Sequence, residues 1–193
     1  MYLIIKVFIL RKEIYKSLEC LKHEKTILYP TDTVWGIGCD ATNEKAVAKI
    51  YELKNRAETK SLIVLVSSLN MLKKYVKVPS NIIGFIKSTT KPTTIIYENP
   101  TGFAKNTIAA DNTIAIRIVQ DAFCRKLIKS FKKPIVSTSA NLSGEATPKS
   151  FSEISDSILN GVDYVVQLKQ DVISNKSSTI VKVIDKQFEI LRA

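Results

Sequence analysis

Three cations stand close together between two apolar segments of the chain. Lys54 and Arg56 end a helical pattern, and Lys60 precedes the continuous apolar run "SLIVLV" at residues 61–66. Arginine offers a planar fork of donors and lysine a compact charge, so the three cations suit the oxygens of a triphosphate. The alternative is structural, because cations at the C-terminal end of a helix complement its dipole. Taken alone, this stretch favours that simpler role.

A second polar stretch follows the apolar strand pattern of residues 134–136. Its short donors and acceptors are Ser137, Thr138, Ser139, Asn141 and Ser143. Ligands of open α/β sheets bind at the carboxyl ends of strands. Such side chains can hold phosphate oxygens, a ribose or an amino acid there. The same residues could instead form a turn that leads to a helix near residue 149.

The stretch "YPTDTVWGIGCDA" at residues 29–41 mixes polar and apolar side chains around a turn. Its hydroxyls and carboxylate belong to Thr31, Asp32 and Thr33. We expect Gly36 and Gly38 to permit positive φ angles and to let a ligand come close to the backbone. A plain turn into a helix capped by Thr42 or Asn43 would explain the proline and one glycine, but not the polar cluster.

Arg117 lies in the middle of the apolar run "IAIRIV". A charge inside a buried strand must be paired or must serve a site, because burial of an isolated charge is costly. Arg117 is therefore a candidate ligand for an anion.

The usual signatures of covalent and metal catalysis are absent from the sequence. His23, the one histidine, lies on a predicted helix, where we expect a surface role. None of the patterns GxSxG, HExxH, GxxxxGK[ST] or GxGxxG occurs. Cys20, Cys39 and Cys124 are far apart and predict neither a zinc site nor a disulfide framework. A cationic pocket that acts by positioning and charge neutralisation remains.

The chain of 193 residues carries a net charge of +11, from 29 Lys plus Arg against 18 Asp plus Glu. This excess suits nucleotides, nucleic acid or acidic membrane as partners, and it also suits a plainly solvated surface. No apolar run reaches the ~18 residues that a membrane span needs, and the apolar start of the chain lacks the features of a signal peptide. We expect a soluble cytoplasmic protein.

Helical and extended patterns alternate along the whole chain. We predict helices at residues 11–22, 43–53, 68–76, 80–88 and 121–131. We predict strands at residues 3–10, 26–30, 61–66, 93–97, 113–118, 134–138, 163–167, 178–184 and 187–191. This order predicts a single α/β domain over residues 1–193, with a twisted, mixed, open sheet flanked by helices and a concave basic pocket. Residues 98–112 would form an active-site flap or an ordinary surface loop.

Together, these stretches resemble the signature of the YrdC family, the threonylcarbamoyl-AMP synthases, which are also called TsaC proteins. The counterparts in this chain are "PTDTVWGIGCDA", "KNRAETKSLIVLV", "IRIV", "STSANLSGEATP", "SSTIV" and the closing "ILRA". The resemblance covers roughly residues 3–192 and implies a YrdC-like fold. It also implies that the chain makes L-threonylcarbamoyl-adenylate from L-threonine, bicarbonate and ATP, with release of pyrophosphate, for the t6A modification of tRNA.

The resemblance also implies a role for each candidate residue. The catalytic set would be Lys54, Arg56, Ser139 and Asn141. ATP would be bound by Lys54, Arg56, Lys60, Asn141 and Arg192. Threonine would be bound by Thr33, Arg117, Ser139 and Ser178. Mg²⁺ would accompany ATP without a dedicated protein site. Further implied partners are tRNA or double-stranded RNA and a downstream threonylcarbamoyl transferase, and no membrane is implied.

Several positions depart from the family pattern. Trp35 replaces a Tyr or Phe, Ser61 replaces a Pro, and Val119 or Gln120 stands where a Pro follows the arginine. Residues 91–94 replace a segment richer in Gly and Pro. Two alternatives therefore stay open. The chain could be an RNA-binding module, which its net charge favours, or a paralogue that uses another acyl donor or amino acid, which the substituted segment favours.

Overall fold

The computed structural model describes residues 2–57, 62–174, 177–184 and 187–192. The helices are α1 Tyr2–Lys22, α2 Glu44–Leu53, α3 Leu69–Leu72, α4 Ser80–Ser88, α5 Ala122–Phe131 and α6 Asp156–Gly161. The strands are β1 Ile27–Tyr29, β2 Gly36–Gly38, β3 Ile63–Val66, β4 Thr93–Glu98, β5 Thr113–Ile118, β6 Ile135–Ser139, β7 Tyr164–Val165, β8 Thr179–Ile184 and β9 Gln187–Arg192.

The strands form one mixed sheet in the order β7-β1-β2-β6-β3-β5-β4-β8-β9. β1 lies parallel to β7, β3 to β5 and β4 to β8. The other neighbours are antiparallel. This mixed sheet with flanking helices confirms the predicted fold class.

Helices cover both faces of the sheet, and each face has its own apolar core. One core contains Val47, Ile50, Ile82 and Ile158, which come from α2, α4 and α6. The other contains Leu21, Phe123, Leu127 and Ile128, which come from α1 and α5. In β3, Val64 and Leu65 belong to different cores, because successive side chains of a strand point to opposite faces. Because both faces of β3 are buried, its sequence is continuously apolar and does not alternate with polar residues.

The prediction of a strand at residues 3–10 is wrong, because these residues form the first half of α1. A continuous apolar run fits a buried strand and a helix equally well by periodicity. The spacing of Leu10, Ile14 and Leu18 continues the helical stripe of the second half of α1, and all three pack on the core of α5. Both edges of β1, the strand that follows α1, are paired with β2 and β7, so no further strand is needed there.

The other helices begin close to their predicted positions. The side chain of Asn43 accepts a hydrogen bond of 2.9 Å from the backbone of Ala46, which confirms the predicted cap of α2. The helix expected near residue 149 starts only at Asp156, after a 3-10 turn. Within the part of the chain that the structure describes, no helix is long and apolar enough to cross a bilayer.

The segment 98–112 packs on the body of the fold, and its residues Ala104 and Thr107 are buried there. The backbone amide of Thr101 donates to Tyr75 at 2.8 Å, and that of Ala104 donates to Ala41 at 3.0 Å. None of its residues lines the cavity described below. Of the two expectations for this segment, the structure favours the surface loop.

Candidate active site

A cavity of about 440 Å³ lies where one end of β2, β3 and β6 meets Arg117, the penultimate residue of β5. The register of the sheet brings these strand ends together, because two residues of β6 pair with the first residues of its neighbours. Ser139 pairs with Gly36 of β2, and Ser137 pairs with Ile63 of β3. The residues that line the cavity are Thr33, Val34, Trp35, Gly36, Arg56, Ile63, Arg117, Ser137, Thr138, Ser139, Thr147, Lys149, Ser174, Ser177, Ser178 and Arg192. Its volume falls within the ~300–1,000 Å³ typical of small-molecule sites.

Most of the residues that the sequence predicts for the site lie together around this cavity. They are Thr33, Arg56, Arg117, Ser139, Ser178 and Arg192. Lys60, which was predicted to bind ATP, lies outside the described residues. Lys54 and Asn141 are not among the residues that line the cavity. The ammonium of Lys54 is buried and donates to the backbone carbonyl of Asn141.

Arg117 provides a buried guanidinium at the β5 side of the cavity and is only 3% exposed. Its Nη2 lies 3.2 Å from a carboxylate oxygen of Asp32 and donates to the hydroxyl of Thr33 at 3.3 Å. The second oxygen of Asp32 accepts from the backbone amide of Gln120 at 2.9 Å. The Nε–H of Arg117 has no hydrogen-bond partner among the described residues, which leaves a buried donor for an anion in the cavity.

The start of β8 adds a hydroxyl beside Arg117. Thr94, which pairs with Arg117 across β4 and β5, donates to the hydroxyl oxygen of Ser178 at 2.9 Å. Ser178 then keeps its own O–H to donate into the cavity. The guanidinium of Arg192 donates to the backbone carbonyl of Ser178 at 2.8 and 3.2 Å, which ties the end of β9 to the same rim.

The end of α2 directs Arg56 towards the cavity. Asn55 adopts a left-handed conformation with φ of 48° directly after the C-cap Lys54. The amide of Asn55 donates to Glu52, and that of Arg56 donates to Tyr51, both at 3.0 Å. These two bonds form a Schellman motif, which ends the helix and turns the chain sharply. The stretch is therefore a helix end, and the binding of phosphates by Arg56 stays a prediction.

The ammonium of Lys54 is buried and 1% exposed. It donates to the backbone carbonyls of Ser139 and Asn141, at the carboxyl end of β6. Burial and the nearby charge of Arg56 lower the pKa of Lys54 to about 8, and the carboxylate of Glu145 opposes this shift.

The amide of Asn141 also acts within the loop that follows β6. Its Nδ2 donates to the carbonyls of Leu142 and Glu145 at 2.8 and 2.9 Å, and its Oδ1 is buried without a hydrogen-bond partner in the described structure. The predicted contacts of Lys54 and Asn141 with ATP stay predictions.

The two glycines of the first motif serve close packing of strands, which corrects the expectation of positive φ angles. The positive-φ glycines among the described residues are Gly102 and Gly144. A Cβ on Gly38 would lie 2.3 Å from the carbonyl oxygen of Val136 and 2.7 Å from the ring of Tyr29. Gly36 lines the cavity, where a Cβ would lie 3.0 Å from the hydroxyl of Ser137. The missing side chains therefore let β2 approach β1 and β6.

Trp35 forms an aromatic wall of the cavity. Its ring packs on Phe151 with a centroid distance of 4.9 Å and an interplanar angle of 53°. A tilted pair of this kind is a favourable arrangement of two rings. The substitution of Trp for the family's Tyr or Phe thus keeps an aromatic side chain at this position.

Reasoning from the sequence missed four polar residues of the cavity, which are Thr147, Lys149, Ser174 and Ser177. They belong to two irregular segments that meet in space. The amide of Ser174 donates to the carbonyl of Lys149 at 2.8 Å, and its hydroxyl donates to the carbonyl of Thr33. Irregular segments have no periodic signal. Thr147 and Ser177 nevertheless lie within the quoted motifs "STSANLSGEATP" and "SSTIV", and Lys149 directly follows the first of these, so their positions could have indicated them.

The donor set of the cavity suits an anion. Its lining combines hydroxyls with the cations Arg56, Arg117, Lys149 and Arg192, and no carboxylate is among the described lining residues. Across those parts of the chain that are described, no group of three His, Cys, Asp or Glu side chains could hold a metal ion. Magnesium in proteins is usually bound by one or two carboxylates together with substrate phosphates.

The amino-acid sequence matches the model of a known protein family. The Sua5/YciO/YrdC model, described as telomere recombination, matches residues 19–193. The chain belongs to the Sua5/YciO/YrdC family. This membership confirms the resemblance inferred from the motifs.

Two proteins of known name are similar to this Sua5/YciO/YrdC chain over most of its length. A Methanocaldococcus jannaschii protein, provisionally named threonylcarbamoyl-AMP synthase, is 37% identical over 195 residues, which cover 98% of this chain and 91% of the relative. The threonylcarbamoyl-AMP synthase of Pseudoalteromonas translucida is 36% identical over 157 residues, which cover 78% of this chain and 82% of that protein.

Solved structures share the fold of this Sua5/YciO/YrdC chain. P. abyssi Sua5 complexed with L-threonine matches with a TM-score of 0.81 at 24% identity, and the match covers 93% of this chain and 53% of Sua5. The chain thus spans about half the length of that Sua5. E. coli YciO matches with a TM-score of 0.80 at 21% identity, over 93% of this chain and 87% of YciO.

Proposed function

We propose that the chain is a threonylcarbamoyl-AMP synthase, an enzyme that makes L-threonylcarbamoyl-adenylate and pyrophosphate from L-threonine, bicarbonate and ATP. The observation that carries the proposal is the convergence of Arg56, just after α2, and Arg117, in β5, on one cavity lined with hydroxyls. Two relatives that carry the name of this activity, at 37% and 36% identity, support it.

Threonine would bind at the β5 side of the cavity. The free Nε–H of Arg117 suits a carboxylate, because an arginine fork and a carboxylate form strong charge-assisted hydrogen bonds. Thr33 and Ser178 offer hydroxyls beside it, and Ser139 lies across the cavity at the end of β6. Such neutral groups suit the hydroxyl and amine of threonine.

ATP would bind at the side formed by the end of α2 and by the later segments of the chain. Arg56, Arg192 and Lys149 can neutralise its phosphates, and the ring of Trp35 provides an apolar surface. Mg²⁺ would enter with the nucleotide, where it would neutralise charge on the phosphate oxygens. The hydroxyls of the lining could complete the shell of an ion that the phosphates carry.

The reaction needs no protein nucleophile. The amine of threonine adds to the carbon of bicarbonate, and loss of water leaves a carbamate. A carbamate oxygen then attacks the α-phosphorus of ATP, and the bond from this phosphorus to the bridging oxygen of the β-phosphate breaks, so that pyrophosphate leaves. Charge that develops on the phosphate oxygens would be stabilised by the fixed cations of the cavity lining.

The decisive measurement is the release of pyrophosphate by the purified chain with ATP, bicarbonate and L-threonine. We expect release to depend on threonine and on bicarbonate, and we expect the adenylate to be detected by mass spectrometry. Pyrophosphate release that is equal without threonine would falsify the proposal.

The two alternatives drawn from the sequence are less favoured, because relatives that match most of the chain carry the synthase name. Contact with tRNA, transfer of the product to a downstream transferase and a cytoplasmic location remain predictions. Thermal-shift screening of amino acids would reveal a paralogue, since stabilisation by an amino acid other than threonine would favour that reading.

A further inference from the structure

Lys54 connects two walls of the cavity without facing it. Its own chain leads, two residues later, to Arg56 on one wall. Its ammonium donates to the carbonyls of Ser139 and Asn141, and Ser139 lies on the other wall. Its backbone carbonyl accepts from the amide of Ser143 at 2.8 Å. One residue therefore holds the loop of residues 139–143 at three points.

The burial of Lys54 argues against a direct role in binding ATP. Only 1% of the residue is exposed, so a phosphate could not reach the ammonium unless the loop moved away. Burial of a charged group is costly unless hydrogen bonds compensate for it. An ammonium has three N–H donors, and two of them are directed at backbone carbonyls of the loop.

We propose that Lys54 is a positioning residue, whose ammonium fixes the loop after β6 so that Ser139 and Arg56 keep their places in the lining of the cavity. This inference rests on the proposed function for its catalytic consequence. Hydrogen bonds within the loop support this role. The side-chain amide of Asn141 donates to the backbone carbonyl of Glu145, and the carboxylate of Glu145 accepts from the backbone amide of Leu142. Lys54, the C-cap of α2, links this internally bonded loop to the helix.

The charge of Lys54 gives this link a dependence on pH. The charged groups that act on the ammonium are Arg56, which disfavours the proton, and Glu145, which favours it. Burial is the larger cause, the charge of Arg56 adds to it, and together they lower the pKa of Lys54 to about 8. Above that pH the amine becomes neutral, and its bonds to the carbonyls lose their charge-assisted strength. An arginine at this position would stay charged over the whole range.

The variants Lys54→Met and Lys54→Arg test the proposal, with Lys45→Met on the exposed side of α2 as a matched control. Hydrogen exchange of residues 139–145 reports the loop directly, and the fluorescence of Trp35 reports the binding of ATP and of threonine. In Lys54→Met we expect loop amides to exchange at least ~10-fold faster, because a charge-assisted bond contributes about 1.5–3 kcal/mol. We expect weaker binding of both ligands and a lower kcat.

Lys54→Arg should restore slow exchange in part. We also expect the ratio of wild-type to Lys54→Arg activity to fall as the pH rises from 7 to 9.5, since only the wild-type ammonium loses its proton there. Lys45→Met should behave as the wild type in every assay. If Lys54→Met does not fold, Lys54→Arg still tests the role. The two measurements are then the hydrogen exchange of its loop and the ratio of wild-type to Lys54→Arg activity at each pH.

Two results would overturn the proposal. One is loop exchange that is unchanged in Lys54→Met together with a loss of ATP affinity alone, which would mean direct contact with phosphate. The other is a ratio of wild-type to Lys54→Arg activity that does not change with pH while Lys54→Arg folds normally. Loop exchange does not depend on turnover, so absence of pyrophosphate release from the wild type would reject the proposed reaction without deciding the role of Lys54.

Discussion

The guanidinium of Arg117 lies 3.2 Å from the carboxylate of Asp32, and both side chains are almost fully buried, at 3% and 9% exposure. The pair joins the turn after β1 to the penultimate residue of β5, and the two residues are far apart in the chain. It explains how a charge can be held inside an apolar strand. Because Asp32 also accepts from the backbone amide of Gln120, the carboxylate that pairs with Arg117 is itself held in place.

Asp32→Asn should be strongly destabilising. The change removes the charge that compensates the buried guanidinium, and breaking one partner of a buried pair typically costs about 3–5 kcal/mol. Urea unfolding would measure the loss. Glu19→Gln is the control, since it breaks the exposed pair of Glu19 with Lys22, which should matter by about 1 kcal/mol or less. Equal stability of the two variants would contradict the assignment of Asp32 as the structural partner of Arg117.

Arg117→Lys should weaken the binding of threonine while leaving the binding of ATP nearly unchanged. The lysine keeps the charge beside Asp32 but loses the planar fork, and a charge-assisted hydrogen bond contributes about 1.5–3 kcal/mol. This corresponds to a dissociation constant about 10- to 150-fold higher. Trp35, the one tryptophan of the chain, lines the same cavity and can report both titrations by fluorescence. A change in ATP affinity alone would place Arg117 at the nucleotide instead.

Arg56→Ala should lower turnover by at least ~10²-fold, because removal of a group that stabilises transition-state charge typically has an effect of this size. The measurement is the steady-state rate of threonine-dependent pyrophosphate release. Arg125→Ala, which removes an exposed arginine from α5, is the matched control and should keep the wild-type rate. A rate for Arg56→Ala that is close to the control would remove Arg56 from the reacting site.

Gly38→Ala should destabilise the fold by about 1–3 kcal/mol or more, since its Cβ would lie 2.3 Å from the carbonyl of Val136 and the strands would have to separate. Gly84→Ala in α4 is a fitting comparison, because a Cβ there meets nothing within 4 Å. The second change should stabilise the helix by up to about 1 kcal/mol. Thermal unfolding of both variants would show opposite shifts, and a stable Gly38→Ala would mean that β2 packs differently.

Much of the architecture could be predicted from short patterns. The cap of α2 by Asn43, the two helical stripes of α2 and α5, and the buried strand β3 depend on residues close together in the chain. The run at residues 3–10 was misassigned because an apolar segment without alternation fits either element. The cavity residues of irregular segments, such as Lys149 and Ser174, had no pattern at all.

The chemistry of the candidate site was also partly visible in the sequence. Motifs in three distant stretches predicted that Arg56, Arg117 and Ser139 would share a pocket, and these residues lie around one cavity. The orientation of each side chain was not visible. Lys54 and Arg56 are two residues apart, and only the Schellman turn between them sends one behind the wall and the other into the cavity.

The amino-acid sequence by itself determined the alternation of helices and strands, the family, and the types of groups available for binding anions, because these depend on composition, local periodicity and motif order. Only the tertiary structure decided that Lys54 holds a loop and that Gly38 makes room for Val136. Both roles depend on atoms contributed by residues about 85–100 positions away. The register of the sheet brings those atoms together, and no local pattern in the chain records it.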